Sequence, residues 1–449
     1  MEAHRMKRLM LALVLILPAT YSTPAGALTL PEAESLALEH HRRIRLAEQD
    51  LQRAQAEVTG SRARLMPSVS ASAGYNRNLE RPVFFAPPPM GQIEIGEVNE
   101  HSLTLSATQP LFLGYAGVTG YRLAQTGLER AELSAAQTQQ DVRLGVRQAY
   151  TGALLARSLV LVQQEAVAQA ESSLVQVQRL YDVGQASGFD LLQAEVQLAN
   201  TRPALVSAES ERRLADARLR SAIGLDTGTR VEPSDTLAPF TSRWADVSLD
   251  NLIDLATRHR PELLELPLQV RAARDGVRLS RSAYYPDVML MGRISWQGQS
   301  EKLVPDDFAR SAAAGVQLAW TLWDSWGSQS GVQQAQVAAR QAELSAAMIR
   351  EGVELEIEAA REKLHEAAAN ISSQATTVEQ AEEALRLARV RYDNGTSTQL
   401  DLINAQFVVT QTQTAYASSI YAYHMAHATL EKALGVIGQS PTEHGETTR

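Results

Sequence analysis

The sequence has no cysteine, few aromatic residues and no long hydrophobic run after its first thirty residues. Without cysteine the chain can form no disulfide, no thiolate nucleophile and no cysteine metal site, and it lacks the acylated cysteine of a bacterial lipoprotein. The formal charge of −9 at pH 7, with no basic stripe to offset it, argues against nucleic acid as a partner. No Gly-rich phosphate loop follows a strand and no nucleophile elbow is present, so the sequence favours neither an enzyme nor a cofactor-dependent protein.

What the sequence does contain is long tracts rich in Ala, Gln, Glu, Arg and Leu, which favour long helices over a compact α/β enzyme. Small residues recur every seven positions in two of these tracts, at Ala194, Thr201, Ala208, Ala215 and Ala222 and again at Ala405, Thr412, Ser419, Ala426 and Ala433. Such a seam lets helix axes approach closely, as in a coiled coil. We therefore predict a mainly α fold with a small β part, built on long α-helical hairpins.

The N-terminus has the pattern of a secretory signal peptide. Arg5, Lys7 and Arg8 precede a short apolar core at 9–17, and the small residues 25–27 fit a cleavage site. This core is too short to span a hydrocarbon layer of roughly 30 Å. We expect a signal peptide over residues 1–27, cleaved after Ala27, and any membrane crossing by the mature chain would then use β-strands.

Two pairs of stretches indicate an internal duplication. "YDVGQASGFDLLQAE" (181–195) matches "YDNGTSTQLDLINAQ" (392–406), about 211 residues later. "LTLPEAESLALEHH" (28–41) matches "VSLDNLIDLATRHR" (247–260), about 219 residues later. Repeats of this kind decide the fold class, because each copy is expected to form the same unit. The expected division is repeat 1 over 28–224, a turn-rich linker over 225–246, repeat 2 over 247–435 and a disordered tail over 436–449.

Each repeat has the same expected order of a helix, a strand, a polar loop, a second strand and a long helical hairpin. In repeat 1 these are a helix at 31–65, strands at 68–78 and 101–112, and a hairpin at 113–224. In repeat 2 they are a helix at 250–284, strands at 287–298 and 311–323, and a hairpin at 324–435. A helical stretch of about 70 residues extends for roughly 100 Å, which predicts an elongated molecule.

The four expected strands alternate between apolar and polar residues. "SVSASAGY" (68–75), "SLTLSATQ" (102–109), "VMLMGRISW" (288–296) and "VQLAWTL" (316–322) carry this pattern. Alternation is typical of outer-membrane barrel strands, and a half-buried sheet of a soluble protein would give it too. Four strands cannot close a barrel, whose minimum is about eight. The chain must therefore oligomerise if these strands lie in a membrane.

These motifs together resemble the TolC-type outer membrane efflux proteins over nearly the whole expected mature chain. The similarity lies in the doubled opening and tip motifs, in "RPEL" (260–263), and in "QPLFLGYAG" (109–117) and "WTLWDSWG" (320–327) between strand and helix. It implies a homotrimer in the bacterial outer membrane that extends into the periplasm. Each chain would add four strands to a 12-stranded transmembrane β-barrel and its helices to a trimeric α-barrel. The implied function is a passive exit duct of a tripartite efflux or type I secretion system.

The resemblance also implies partners and docking residues. The partners would be a periplasmic adaptor, an inner-membrane pump and the lipid of the outer membrane, with no cofactor and no metal. Gly184 and Gly395 match the glycines at the hairpin tips, where the adaptor is expected to dock. A glycine there permits a positive φ and the close approach of another chain.

The resemblance further implies an entrance gate at the second tip. Asp401 matches a carboxylate whose three copies would ring the entrance and favour cations. The position of a second acidic ring holds Asn404, which predicts a less negative entrance. Tyr392 matches a residue that holds the closed state, and Asp190 matches its carboxylate partner. Ser397 stands where an arginine is expected, so no ionic contact is expected there. From the residues alone, both aspartates could instead be helix N-caps or simply solvated.

Two readings of another class stay open on the sequence. A periplasmic adaptor also carries coiled-coil hairpins, although usually one per chain, and a structural coiled-coil scaffold would need no pore. A metal site at His424 and His427, three apart on an expected helix, is disfavoured because no third ligand is evident.

Overall fold

The computed structural model describes residues 27–81, 83–85, 87, 89, 91–94 and 96–438. Its helices are α1 (Leu30–His40), α2 (Arg42–Ala63), α3 (Ala116–Asp182), α4 (Gly188–Ile223), α5 (Leu249–His259), α6 (Pro261–Arg281), α7 (Gly327–Asp393) and α8 (Gln399–Ala433). Its strands are β1 (Ala27–Leu28), β2 (Ser68–Arg77), β3 (Val83–Phe85), β4 (Gln92–Glu94), β5 (Asn99–Leu113), β6 (Glu232–Pro233), β7 (Asp287–Ser300) and β8 (Ala309–Ala319). Most of the expected signal peptide, residues 1–26, lies outside the described residues. Within the described ranges, no helix is both long enough and apolar enough to cross a membrane.

α3 and α7 are the long helices of the molecule, and each has 67 residues. At 1.5 Å per residue, such a helix extends for roughly 100 Å. α3 packs against α2 and α4, and α7 packs against α6 and α8. Each long helix thus lies beside two shorter ones and leads away from a strand of the sheet to a tight turn.

The single helix expected over 31–65 is interrupted, so this prediction is wrong. α1 and α2 form instead, because His41 between them adopts an extended backbone (φ −68°, ψ 129°). The Nδ1 atom of His41 accepts a hydrogen bond from the backbone N–H of Arg43 at 3.1 Å, and this bond begins α2.

The helix expected over 250–284 is also divided. Arg260 adopts an extended backbone (φ −76°, ψ 117°), and Pro261 in the first turn then begins α6, as the sequence indicates. α6 ends at Arg281 and a 3-10 turn, Ser282–Tyr284, leads into β7.

The two helix breaks lie where the returning helices end. Gly224 after α4 and Gly435 after α8 have positive φ values of 85° and 77°. A Cβ atom at Gly224 would lie 2.8 Å from the Cα of His41, and one at Gly435 would lie 2.5 Å from the Cα of Arg260. Glycine alone tolerates both the backbone conformation and the close approach. These contacts fix the first helices of each half against the end of its hairpin.

β2, β5, β7 and β8 form one antiparallel sheet in that order. The register places Ala71 opposite Leu105, and Leu105 opposite Ile294, so the apolar residues of the alternating pattern share one face. The other face carries Ser106 opposite Arg293. β2 and β8 are the edge strands, and each leaves one edge unpaired within the described chain.

The segment between β2 and β5, expected to be a polar loop, contains a short hairpin. β3 and β4 pair antiparallel, with Val83 opposite Glu94. The sequence pattern did not indicate these three-residue strands.

Two clusters of buried apolar side chains hold the short helices against the long ones. The first joins α1, α3 and α4 and includes Tyr150 and Leu219. The second joins α5, α7 and α8 and includes Ile357 and Leu430. The core is therefore divided between the two halves of the chain and lies near the middle of the long helices.

The segment 225–246 is packed rather than a free linker. β6 within it pairs with β1 in parallel, and the side chain of Trp244 is buried in the second cluster. The tail expected to be disordered from residue 436 begins with two buried residues, Val436 and Ile437, so that part of the prediction is wrong. Val436 is held because it belongs to the second cluster. Residues 439–449 of the expected tail lie outside the described residues.

Candidate functional site

The first hairpin turns at Gly184, between α3 and α4. Gly184 has a φ of 75°, and a Cβ atom there would meet no atom within 4 Å. Its N–H donates to the carbonyl of Tyr181 at 2.9 Å, and the N–H of Gln185 donates to the carbonyl of Leu180 at 2.7 Å. These bonds satisfy the last carbonyls of α3, as in other glycine-ended helices.

The second hairpin turns at Gly395, between α7 and α8, with the same geometry. Gly395 has a φ of 68° and open space around it. Its N–H donates to the carbonyl of Tyr392 at 2.9 Å, and the N–H of Thr396 donates to the carbonyl of Arg391 at 2.9 Å. Both glycines therefore lie at exposed turns that another chain could approach closely.

Both tip aspartates take part in helix capping, close to the N-cap alternative that the sequence left open, but at the N3 position, because the N-cap residues themselves are Ser187 and Thr398. The carboxylate of Asp190 accepts from the N–H of Ser187 at 3.0 Å and from its hydroxyl at 2.7 Å. The carboxylate of Asp401 accepts from the N–H of Thr398 at 3.0 Å and from its hydroxyl at 2.8 Å. Each Ser or Thr hydroxyl accepts in return from the aspartate N–H, which completes a capping box.

Asp401 carries a further hydrogen bond that Asp190 lacks. The hydroxyl of Ser397 donates to the Asp401 carboxylate at 2.9 Å. The N–H and hydroxyl of Thr398, together with this Ser397 hydroxyl, hold the pKa of Asp401 below its ordinary value. Asp401 is exposed, and because of this low pKa it is ionised at neutral pH. Asn404, one turn further along α8, is exposed on the same side of the helix.

The two tips of one chain lie side by side and enclose a cleft of about 1020 Å³. Its lining comes from both hairpins and includes Arg179, Gln185, Asp190, Tyr392 and Gly395. Gln176 of α3 donates to the carboxylate of Asp393 at 2.6 Å and so bridges the hairpins. Three of the six predicted tip residues, Asp190, Tyr392 and Gly395, thus line one polar cleft. Gly184 and Asp401 adjoin its lining residues Gln185 and Thr398, and Asn404 lies further along α8.

Tyr392 and Asp190 both line this cleft, but no hydrogen bond joins them among the described residues. The ring of Tyr392 packs on a small apolar cluster that includes Leu385 and Leu402. Burial, and then the nearby carboxylates of Asp190 and Asp393, raise the pKa of Tyr392. The tyrosine hydroxyl is therefore neutral and close to two negative charges.

Gln399 is a cleft residue that the sequence pattern did not single out. Its side chain is 3% exposed, and neither its amide oxygen nor its amide nitrogen has a hydrogen-bond partner within the described chain. A buried unpaired amide is costly. Gln176 was missed as well, because its partner Asp393 is more than two hundred residues away in sequence.

His424 and His427 lie far from the tips, and both are next to one aromatic ring. Phe240 packs against both imidazoles, with ring centroids 4.7 and 5.0 Å away. His424 Nε2 is 2.9 Å from the carbonyl oxygen of Ala238. Among the described residues, no group of three His, Cys, Asp or Glu side chains is placed to hold a metal ion.

Comparisons with known proteins agree with this architecture. The outer membrane protein TolC of Vibrio cholerae is 24% identical over 438 residues, which cover 97% of each chain. The alkaline protease secretion protein AprF of Pseudomonas aeruginosa is 25% identical and covers 93% of this chain and 87% of its own. The solved CmeC outer membrane channel of Campylobacter jejuni has the same fold, with a TM-score of 0.79 at 18% identity over 91% of this chain and 85% of that one.

The sequence model of one family matches both halves of the chain. It describes the outer membrane efflux proteins and covers residues 34–225 and 252–436. Members of this family are transport conduits and not enzymes. The chain therefore belongs to the outer membrane efflux protein family, is of the TolC type, and is a transport protein of the bacterial outer membrane.

Proposed function

We propose that three copies of this chain form a passive exit duct, which opens through the outer membrane and is gated at its periplasmic tip. In this assembly the four-stranded sheets make a 12-stranded barrel and the helices make a tapered α-barrel. The duct serves a tripartite efflux or type I secretion system, whose adaptor and pump supply the energy. The observation that carries the proposal is that one chain has a sheet with two free edges at one end and two adjoining hairpin tips at the other.

The free sheet edges support closure by other copies. β8 runs antiparallel to β7, which runs antiparallel to β5, which runs antiparallel to β2. β2 and β8 therefore run in opposite directions, and β8 of one copy can extend the antiparallel pattern onto β2 of the next. Most of the apolar face is exposed, with Val69, Leu105 and Val316 at 68%, 40% and 64%. A face of this kind suits contact with lipid.

The internal repeat, 28–224 and 247–435, is supported by the two halves of the family match. Equal lengths of 67 residues for α3 and α7, and similar lengths for α4 and α8, support it as well. With two similar halves per copy, three copies would give six similar units around one axis, which suits a tube of uniform wall.

The geometry of the two tips supports the proposal of a gate and of a docking surface. Three exposed Asp401 carboxylates would ring the entrance and favour cations. Asn404 adds no charge, and Ser397 binds Asp401 instead of supplying a cation. Tyr392 and Asp190 in the cleft between hairpins would hold the closed arrangement, while Gly184 and Gly395 leave the turns open to an adaptor.

The number of chains tests this proposal against the adaptor and scaffold readings. Light scattering of the protein purified in detergent measures the protein mass of the particle, and we expect three chains. A stable monomer that stays soluble without detergent would contradict the duct and favour an adaptor or a scaffold.

A further inference from the structure

An apolar stripe runs along the exposed side of α7. Val337, Leu344, Met348 and Leu355 lie on one side of this helix, with exposed fractions of 54%, 68%, 71% and 66%. An exposed stripe of large apolar side chains is unusual on a helix that remains in water. Something outside the described chain therefore covers it.

The first half of the chain has a covered surface at the corresponding place. α3 packs not only within its own half but also against α6 and α8 of the second half. Arg130 pairs with Glu265 at 2.6 Å, and Gln137 donates to Glu262 at 2.8 Å. These contacts define the side of α3 on which the second half lies.

The apolar stripe of α7 is the repeat equivalent of this covered side. A shift of about 211 residues takes Thr126, Leu133, Gln137 and Leu144 of α3 to Val337, Leu344, Met348 and Leu355 of α7. All four residues of α3 are buried or half-buried, whereas all four residues of α7 are exposed. α7 thus has the equivalent contact surface, but no helix of the described chain covers it.

The helices that would cover it are free on the equivalent side. α2 and α4 are the repeat equivalents of α6 and α8. Leu46, Val206 and Leu214 are 63%, 62% and 50% exposed there, whereas their equivalents Glu265, Ala417 and Met425 are buried or half-buried. One half of the chain therefore has an uncovered long helix, and the other half has two uncovered short ones.

The charges on the two uncovered surfaces are complementary, and their signs are the reverse of those at the contact within the chain. Within the chain, Arg147 on α3 pairs with Glu431 on α8. The repeat equivalents are Glu358 on α7 and Arg220 on α4. Glu358 is exposed and has no ion pair among the described residues, and the guanidinium of Arg220 donates only to the carbonyl of Thr229, at 3.3 Å.

We propose that α7 of one copy packs against α2 and α4 of a second copy, with Glu358 paired to Arg220 of that copy. This contact repeats between copies the contact that joins the two halves within a copy. It uses different surfaces on the two partners, so it closes into a ring when the rotation allows. It rests on the trimeric duct and adds the residues that build it.

The reversed charges also select the correct partner. If α3 of one copy met α4 of another, Arg147 would face Arg220. If α7 met α8 of another copy, Glu358 would face Glu431. Like charges at such contacts are costly, so they disfavour the wrong pairing of halves. The polar residues Thr126, Gln137 and Glu265 of the seam within the chain correspond to Val337, Met348 and Leu46 of the seam between copies, which strengthens this distinction.

A charge exchange tests the ion pair. We expect Glu358→Arg and Arg220→Glu each to raise the protein concentration needed for the trimer in detergent by about tenfold. The double variant restores the pair and returns this concentration toward the wild-type value. Glu379→Arg, on an exposed part of α7 whose equivalent Ala168 is also exposed, is the matched control and leaves assembly unchanged.

Thiol crosslinking tests the surfaces without disturbing the charges. Because the natural chain has no cysteine, only introduced cysteines can react. Gln137 contacts Glu262 within the chain. The equivalent pair, Met348→Cys with Arg43→Cys, is therefore expected to give covalent dimers and trimers with a short bifunctional reagent. Arg350→Cys with Arg43→Cys is the control, since Arg350 lies on another side of α7, where its equivalent Gln139 is exposed.

These outcomes separate the inference from the duct itself. Trimers of the variant with Met348→Cys and Arg43→Cys that give no crosslink, or a double charge variant that assembles no better than the single variants, would overturn the contact and leave the trimer intact. A monomeric wild-type protein would overturn both. Far-UV circular dichroism checks that each variant keeps its helices.

Discussion

Three charged or titratable side chains converge on the buried carboxylate of Glu431. Arg147 of α3 and Arg243 of the segment between the halves form ion pairs with it, and His427 lies 3.9 Å away on the same helix. Burial disfavours its charge, but Arg147 and His427 lead the interactions that hold the pKa of Glu431 below its ordinary value. Glu431 therefore remains ionised and ties α3, α8 and the connecting segment together.

His427 makes stability depend on pH. Burial lowers the pKa of His427 from an ordinary 6.5 to about 4. The nearby carboxylate of Glu431 acts in the opposite direction but is outweighed, and the charges of Arg147, Arg243 and His424 lower the pKa further. Because the pKa of His427 is lower in the folded state than in the unfolded state, the stability that comes from burying the neutral imidazole is complete above pH 6.5 and is lost as the pH falls toward 4. The loss amounts to about 3 kcal/mol at most.

The variant His427→Gln is expected to flatten this dependence. Denaturant unfolding in detergent, followed by circular dichroism at several pH values between 6.5 and 4, measures the slope. The exposed His365 gives a control, His365→Gln, that keeps the wild-type slope. Equal slopes for wild type and His427→Gln would show that His427 is not the group responsible.

Individual side-chain partners were the least predictable features from the sequence. From the sequence the tip aspartates could be assigned to capping or to a gate, and in the structure both are the N3 residues of capping boxes. Glu431 and Arg147 carry no such local signal, because 284 residues separate them. Their pairing depends on how α3 and α8 pack, which no short motif encodes.

At the scale of elements, the glycines that end the hairpins differ in their surroundings. Gly395 and Gly435 both have positive φ, but only Gly435 lies against another backbone, that of Arg260. An alanine at either position is expected to cost about 1–2 kcal/mol for its left-handed backbone. Gly435→Ala must in addition displace α5 from α8.

We therefore expect Gly435→Ala to destabilise the fold more than Gly395→Ala. Denaturation curves of the two variants under the same conditions compare them directly. Equal losses would mean that the close approach of Gly435 to Arg260 can relax without cost. A larger loss for Gly395→Ala would contradict the geometry of both turns.

Elements with strong local signals agreed best with the sequence pattern. Pro261 lies in the first turn of α6, a position that suits proline, and apolar alternation located the four strands of the sheet. The break at His41 has no proline or glycine to announce it, and its contact with Gly224 lies more than 180 residues away in sequence. Val436 was placed in a disordered tail because a short apolar run after a glycine does not reveal the cluster that buries it.

At the scale of the whole molecule, assembly follows from what one chain leaves unpaired. In the proposed trimer, other copies would cover the free edges of β2 and β8, the exposed stripe of α7 and the uncovered faces of α2 and α4. Composition and periodicity indicated that four strands need partners, and the resemblance supplied the number three. The surfaces themselves could be identified only after the contacts within the chain were known.

The central claim is a passive duct whose charged constriction lies at the tip, and single-channel conductance in planar bilayers tests it most directly. Asp401→Asn is the informative variant, because the amide oxygen can still accept the hydrogen bonds of Thr398 and Ser397 while the charge is lost. Glu383→Gln, an exposed carboxylate on α7, is the control. We predict cation-selective pores whose selectivity falls in Asp401→Asn and is unchanged in Glu383→Gln. Pores from wild-type trimers with the same ion selectivity as Asp401→Asn would contradict the constriction at Asp401.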